Sequence, residues 1–150
     1  MRGEERELVV DGSGMILGRL ASIVAKKLLE GYRIHVVNAE KIVVSGDPVK
    51  LKQFYKRTIL GVKSHYSHRL RPKRPRSPTR LFKHAVRGML PKGNKRGREA
   101  LKRLRVYIGV PSELSGKEMV SFKDASSERL AGKYIELGVI ARELGWRVES

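Results

Sequence analysis

The sequence predicts an α/β domain over residues 1–150, built on a parallel sheet with helices on its faces. Two patterns carry that prediction. Near the N-terminus an apolar run, a glycine turn, a helical stripe and a second apolar run follow in order, which is a βαβ unit. Further on, short apolar runs again alternate with amphipathic helical patterns. A third observation concerns charge: almost all of the excess positive charge lies in one central segment.

Leu8-Val9-Val10 reads as a strand, stopped by the turn Asp11-Gly12-Ser13-Gly14. Leu17, Leu20, Ala21, Val24 and Leu28 then recur at helical spacing, with Gly31 as the stop. Ile34 to Val37 and Ile42 to Val44 are two further strand candidates. Asp47-Pro48 is a cap followed by a first-turn proline, opening a helix whose apolar face is Leu51, Phe54, Tyr55 and Ile59 and which ends at Gly61. Periodicity vanishes over 63–79, a proline-studded basic stretch expected to be extended and mobile until it meets a partner. Ser77-Pro78 opens the next helix, with Phe82, Ala85, Val86 and Met89 on one face and Arg80, Lys83, His84 and Arg87 on the other. A fourth helix is expected from near Gly97, with Arg98, Lys102 and Arg105 opposite Ala100, Leu101 and Leu104. Val106-Tyr107-Ile108 reads as a closing strand. The tail, 112–150, reads as one or two helices with Ile135, Val139, Ile140 and Leu144 as their stripe.

The chain has 33 Lys and Arg against 15 Asp and Glu, a formal charge of +18. Residues 1–62 carry +4, residues 63–105 carry +15 with Glu99 as their only acid, and residues 106–150 carry −1. A like-charge block of this kind is an interaction segment rather than a solvated face. The partner that matches it is a polyphosphate. Arginine outnumbers lysine in the block, ten to six. Its planar donor fork bonds phosphates and stacks on bases, which suits folded RNA. The candidate RNA-binding residues are therefore, in the loop, Lys63, His65, Tyr66, His68, Arg69, Arg71, Lys73, Arg74 and Arg76. In the helices they are Arg80, Lys83, His84, Arg87, Lys95, Arg96, Arg98 and Lys102.

Other chemistries fit less well. A dinucleotide fingerprint begun at Gly12 needs glycine where Leu17 stands, and a Walker loop needs Gly-Lys-Ser/Thr where Gly18-Arg19-Leu20 stands. The turn then serves to carry the chain from strand to helix, or its amides and Arg19 meet an RNA phosphate. With no cysteine, His65 and His68 lack the companions of a zinc site. One acid in 43 residues does not make a two-metal nuclease. Acid–base cleavage of RNA by the histidines would need a rigid pocket, not a loop. No apolar run resembles a signal peptide or a membrane span, which fits a cytoplasmic protein. Charge alone leaves a chromatin or membrane-surface protein open.

Three blocks resemble a known family. They are Val9-Val10-Asp11-Gly12-Ser13-Gly14 running into Leu17-Gly18-Arg19-Leu20-Ala21; Val36-Val37-Asn38-Ala39-Glu40-Lys41 running to Ser45-Gly46; and Val86-Arg87-Gly88-Met89-Leu90-Pro91-Lys92-Gly93 followed by Leu104-Arg105-Val106-Tyr107-Ile108-Gly109. Together they resemble the universal L-thirteen family of large-subunit ribosomal proteins in its archaeal and eukaryotic form. The resemblance implies a three-layer α/β/α domain with a small parallel sheet of about four strands, early entry into subunit assembly, and no catalysis. It implies that Arg87 to Lys92 face RNA, which adds Lys92 to the candidates. The expected partners are large-subunit ribosomal RNA and neighbouring ribosomal proteins, with one copy per ribosome. No cofactor, metal, membrane or small-molecule substrate is expected.

Overall fold

A computed structural model describes residues 6–57, 77–130 and 132–147. The expected βαβ unit is present. Strand β1 (Glu7–Asp11) leads through helix α1 (Leu17–Leu29) to strand β2 (Arg33–Val37), which lies parallel to β1 with Val10 opposite Val36. Strand β4 (Leu104–Val106) adds to the outer edge of β2, and β5 (Met119–Val120) to the far edge of β1. The result is a four-stranded parallel sheet in the order β4-β2-β1-β5.

The third apolar run does form a strand, β3 (Val43–Ser45), but outside this sheet. It pairs antiparallel with β6 (Tyr134–Glu136). The reason is length. Only the short link 38–42 separates β2 from β3, too little chain for a crossover to a parallel neighbour. Instead Asn38 takes a left-handed backbone (φ 56°) and a 3-10 turn, Ala39–Lys41, swings the chain away. Asparagine tolerates that conformation better than most residues, and its Nδ2 donates to Asp11 at 3.0 Å.

Strand alternation sorts the sheet into two faces. Val10, Ile34, Val36 and Leu104 point into the main core, where they meet Leu20, Ala21, Val24 and Leu28 of α1. Helix α3 (Pro78–Met89) packs across α1 and contributes Leu81, Phe82 and Val86; α4 (Lys95–Lys102) adds Ala100. The opposite sheet face carries Val9 and Val37, covered by Leu114 from the turns that follow Pro111. Among the described residues, helices thus form one outer layer and turns the other.

Several expected boundaries move. Helix α4, expected from near Gly97, starts two residues earlier at Lys95, and Asn94 caps it: its Oδ1 accepts the Arg96 N–H at 2.7 Å. Leu104 and Arg105 are consequently on β4, so Arg105 does not share a helix side with Arg98 and Lys102. The closing strand begins two residues before Val106, although Tyr107 still donates to the Val36 carbonyl at 2.8 Å. Met89, expected in the core, is 45% exposed in the last turn of α3, whereas Leu81 is buried in its place. Helix α2 (Pro48–Tyr55) has the expected Asp47 cap, with Oδ1 accepting from Val49 N at 3.0 Å. Its Leu51 and Tyr55 pack on the core, Phe54 is exposed, and Ile59 lies outside the described residues. The tail contains the expected C-terminal helix, α5 (Leu137–Glu143), but Met119–Val120 and Tyr134–Glu136 are strands and short 3-10 turns lie between them. Such two- and three-residue strands are specified by their pairing partners, not by local periodicity.

Candidate nucleic-acid interface

Helix α3 is held by its apolar stripe. Ser77 caps it through Oγ, which accepts the Arg80 N–H at 3.3 Å, and Pro78 fills its first turn. With Leu81, Phe82 and Val86 turned inward, helix geometry turns the intervening residues outward. Arg80, His84 and Arg87 are exposed and Lys83 is half-buried. The chain then bends at Leu90 to Gly93, where Gly93 has φ +68°, and α4 starts. Gly97 faces the Pro91 carbonyl so closely that a side chain there would overlap it. That approach presses α4 against the bend and brings Arg98 to the same cavity as His84 and Arg87.

The electrostatics of this face are one-signed. Among the described residues only Lys95 of the α3–α4 cations meets a carboxylate, with Nζ 3.9 Å from Glu99, both side chains exposed. Two carboxylates elsewhere are held by cations of their own. Glu143 accepts from Lys56 at 3.0 Å and lies 3.7 Å from Lys52; the Lys56 hydrogen bond, aided by the charge of both lysines, holds its pKa below the ordinary value. Glu7 is held down chiefly by its hydrogen bond to His35 Nε2 at 2.7 Å, with Lys117 adding its charge. Arg103 is withdrawn from the face: it donates to the Leu28 carbonyl and ties β4 to the end of α1.

His84, Arg87, Lys92 and Arg98 surround one cavity between the end of α3 and the start of α4, of about 540 Å³. Arg80 and Lys83 continue the stripe up α3. Arg96 turns to a neighbouring hollow with Lys26 of α1. The sequence does not single out Lys26, because a lysine on the solvent side of an amphipathic helix carries no signal of its own. Lys102 is exposed at the end of α4. Arg19 is placed elsewhere, exposed on the first turn of α1 with Nη1 donating to the Asp124 carbonyl at 3.4 Å. Lys63, His65, Tyr66, His68, Arg69, Arg71, Lys73, Arg74 and Arg76 lie outside the described residues.

The glycine turn after β1 has a structural use. The Gly12 N–H bonds to Val37, Ser13 to Asp11, Gly14 to Lys41, Met15 to Gly12 and Ile16 to Ala125. With these amides committed inside the chain, the turn has no free nest for a phosphate. Gly12 is also packed too tightly for a side chain, which would come within 2.8 Å of Ile42.

The ribosomal protein L13 family profile matches residues 5–113. The large ribosomal subunit protein uL13 of Aeropyrum pernix is 68% identical over 145 residues, which is 97% of this chain and 94% of that protein. Its counterpart from Saccharolobus solfataricus is 42% identical over 144 residues, covering 95% of each. That from Archaeoglobus fulgidus is 48% identical over 141 residues, 93% of this chain and 88% of that protein. The likeness runs through both the sheet and the α3–α4 face, and the chain belongs to the ribosomal protein L13 family.

Proposed function

We propose that the chain is a structural constituent of the large ribosomal subunit and holds large-subunit ribosomal RNA on its α3–α4 face. The observation that carries this is the run of eight Lys and Arg from Arg80 to Lys102, exposed or half-exposed and matched by the single acid Glu99. Such a surface is self-repelling alone and is stabilised by a polyanion. The relatives are named as large-subunit proteins, which selects ribosomal RNA among polyanions. Membership of this family also makes the chain a structural protein and not an enzyme.

In this reading the basic stretch 63–79 and Arg19 add contacts to those of the helices. The nearly neutral remainder of the surface faces neighbouring ribosomal proteins, one copy of the chain serves each ribosome, and binding supports subunit assembly in the cytoplasm. Recognition is by shape and phosphate, since arginines on two crossing helices fit the backbone of a folded RNA better than the edges of paired bases.

The test is the salt dependence of binding between the full chain and large-subunit ribosomal RNA. Neutralising about eight phosphates gives a log–log slope of about −6 to −7. A flat response, or equal affinity for duplex DNA or anionic vesicles, would remove the electrostatic basis of the proposal.

A further inference from the structure

We infer that the cavity between α3 and α4 receives one unpaired nucleobase turned out of the ribosomal RNA. This rests on the RNA-binding reading above and adds to it the reading of a base. The cavity of about 540 Å³ falls in the range of roughly 300–1,000 Å³ typical of small-ligand sites. Its lining is both charged and apolar: Arg87, Lys92 and Arg98 are exposed, while Leu90 is 5% exposed and Leu101 half-buried, so the charged side chains are the ones nearer solvent. A site for a lone phosphate would put its donors at the bottom. A nucleotide has the matching order: a flat base with little charge, joined to phosphates on either side. Seated here, its base lies on Leu90, Leu101 and Pro91, and the flanking phosphates reach the three cations.

The glycines support the same reading. Gly88 lies inside α3 at the mouth of the cavity, where glycine weakens a helix. Nothing in the described chain demands it, because an added Cβ would meet no atom within 4 Å. Its effect is to keep the mouth open. Gly97, across the cavity, is demanded by its approach to Pro91 and fixes the opposite wall. One glycine shapes the cavity and the other leaves it empty for a group from outside the chain.

The test uses the full chain and purified large-subunit ribosomal RNA. Short-wavelength irradiation joins a base to protein only at direct contact. An adduct is expected on the stretch from Gly88 to Leu101, and sequencing identifies its nucleotide. An RNA fragment with an abasic residue at that position is then bound about tenfold more weakly by the wild-type chain, roughly the worth of the apolar surface that one base buries. Gly88→Phe, which plugs the mouth and leaves every cation in place, loses the adduct and binds intact and abasic RNA equally. The abasic comparison needs no variant, so it stands even if Gly88→Phe folds poorly. Tight RNA binding without an adduct in this stretch, or equal wild-type affinity for intact and abasic RNA, overturns the cavity assignment and leaves the RNA-binding reading intact. Failure of the wild-type chain to bind ribosomal RNA at low salt overturns both.

Discussion

At the scale of single residues, two glycines on consecutive helices make opposite predictions. Gly97→Ala drives a methyl into the Pro91 carbonyl, a backbone atom that cannot step aside. It should cost about 1–3 kcal/mol, as overpacking does. Gly88→Ala meets nothing and should gain about 0.5–1 kcal/mol from helix propensity. Urea unfolding of the two variants checks both signs. Asp11 supplies a third prediction. Burial opposes its ionisation, but hydrogen bonds from Asn38 and Ser13, with the charge of Lys41, outweigh that and hold its pKa below the ordinary 3.8. A lowered carboxyl stabilises the fold above its unfolded pKa and loses that contribution as pH falls through the folded one. Asp11→Ala should therefore cost about 1–2 kcal/mol at neutral pH. The gap to wild type should narrow below about pH 4 in unfolding curves taken across pH.

At the scale of elements, α3 joins core to interface. Its Phe82 is fully buried and its Arg80, His84 and Arg87 are exposed. Phe82→Ala should destabilise the protein by about 3–5 kcal/mol, and RNA binding should fall with the folded fraction rather than with charge, which parallel circular dichroism and binding measurements separate. This helix is legible in the sequence because its signals are local: a Ser-Pro start and two faces at helical period. So is the β1-α1-β2 unit. The tail is only partly legible. Ile135 falls on the helical stripe that α5 continues, yet it sits on β6 because Val44 pairs with it from the other half of the chain. The start of α4 is hidden because Asn94 as a cap is indistinguishable from any loop asparagine until the Arg96 amide is seen to point at it. The cavity at His84, Arg87, Lys92 and Arg98 is not readable either. The four residues are visible in the sequence, but their convergence depends on how closely Gly97 meets Pro91.

At the scale of the whole molecule, charge and fold are partitioned. The sheet and its helices bury an apolar core in which no charged or polar residue is buried among those described. Acids such as Glu7 and Glu143 are engaged by cations away from α3 and α4, and among the described residues the α3–α4 face keeps eight Lys and Arg against the single acid Glu99. A protein organised this way binds through long-range attraction that salt screens, and its specificity comes from where the rigid helices place their cations. The most direct test is the affinity of the full chain for large-subunit ribosomal RNA after Arg80, Lys83 and Arg87 are changed together to Gln. Affinity should fall at least about tenfold, and the salt slope should become shallower by about 2–3, roughly one for each phosphate no longer neutralised. A folded triple variant that binds with wild-type affinity and an unchanged slope would contradict the account.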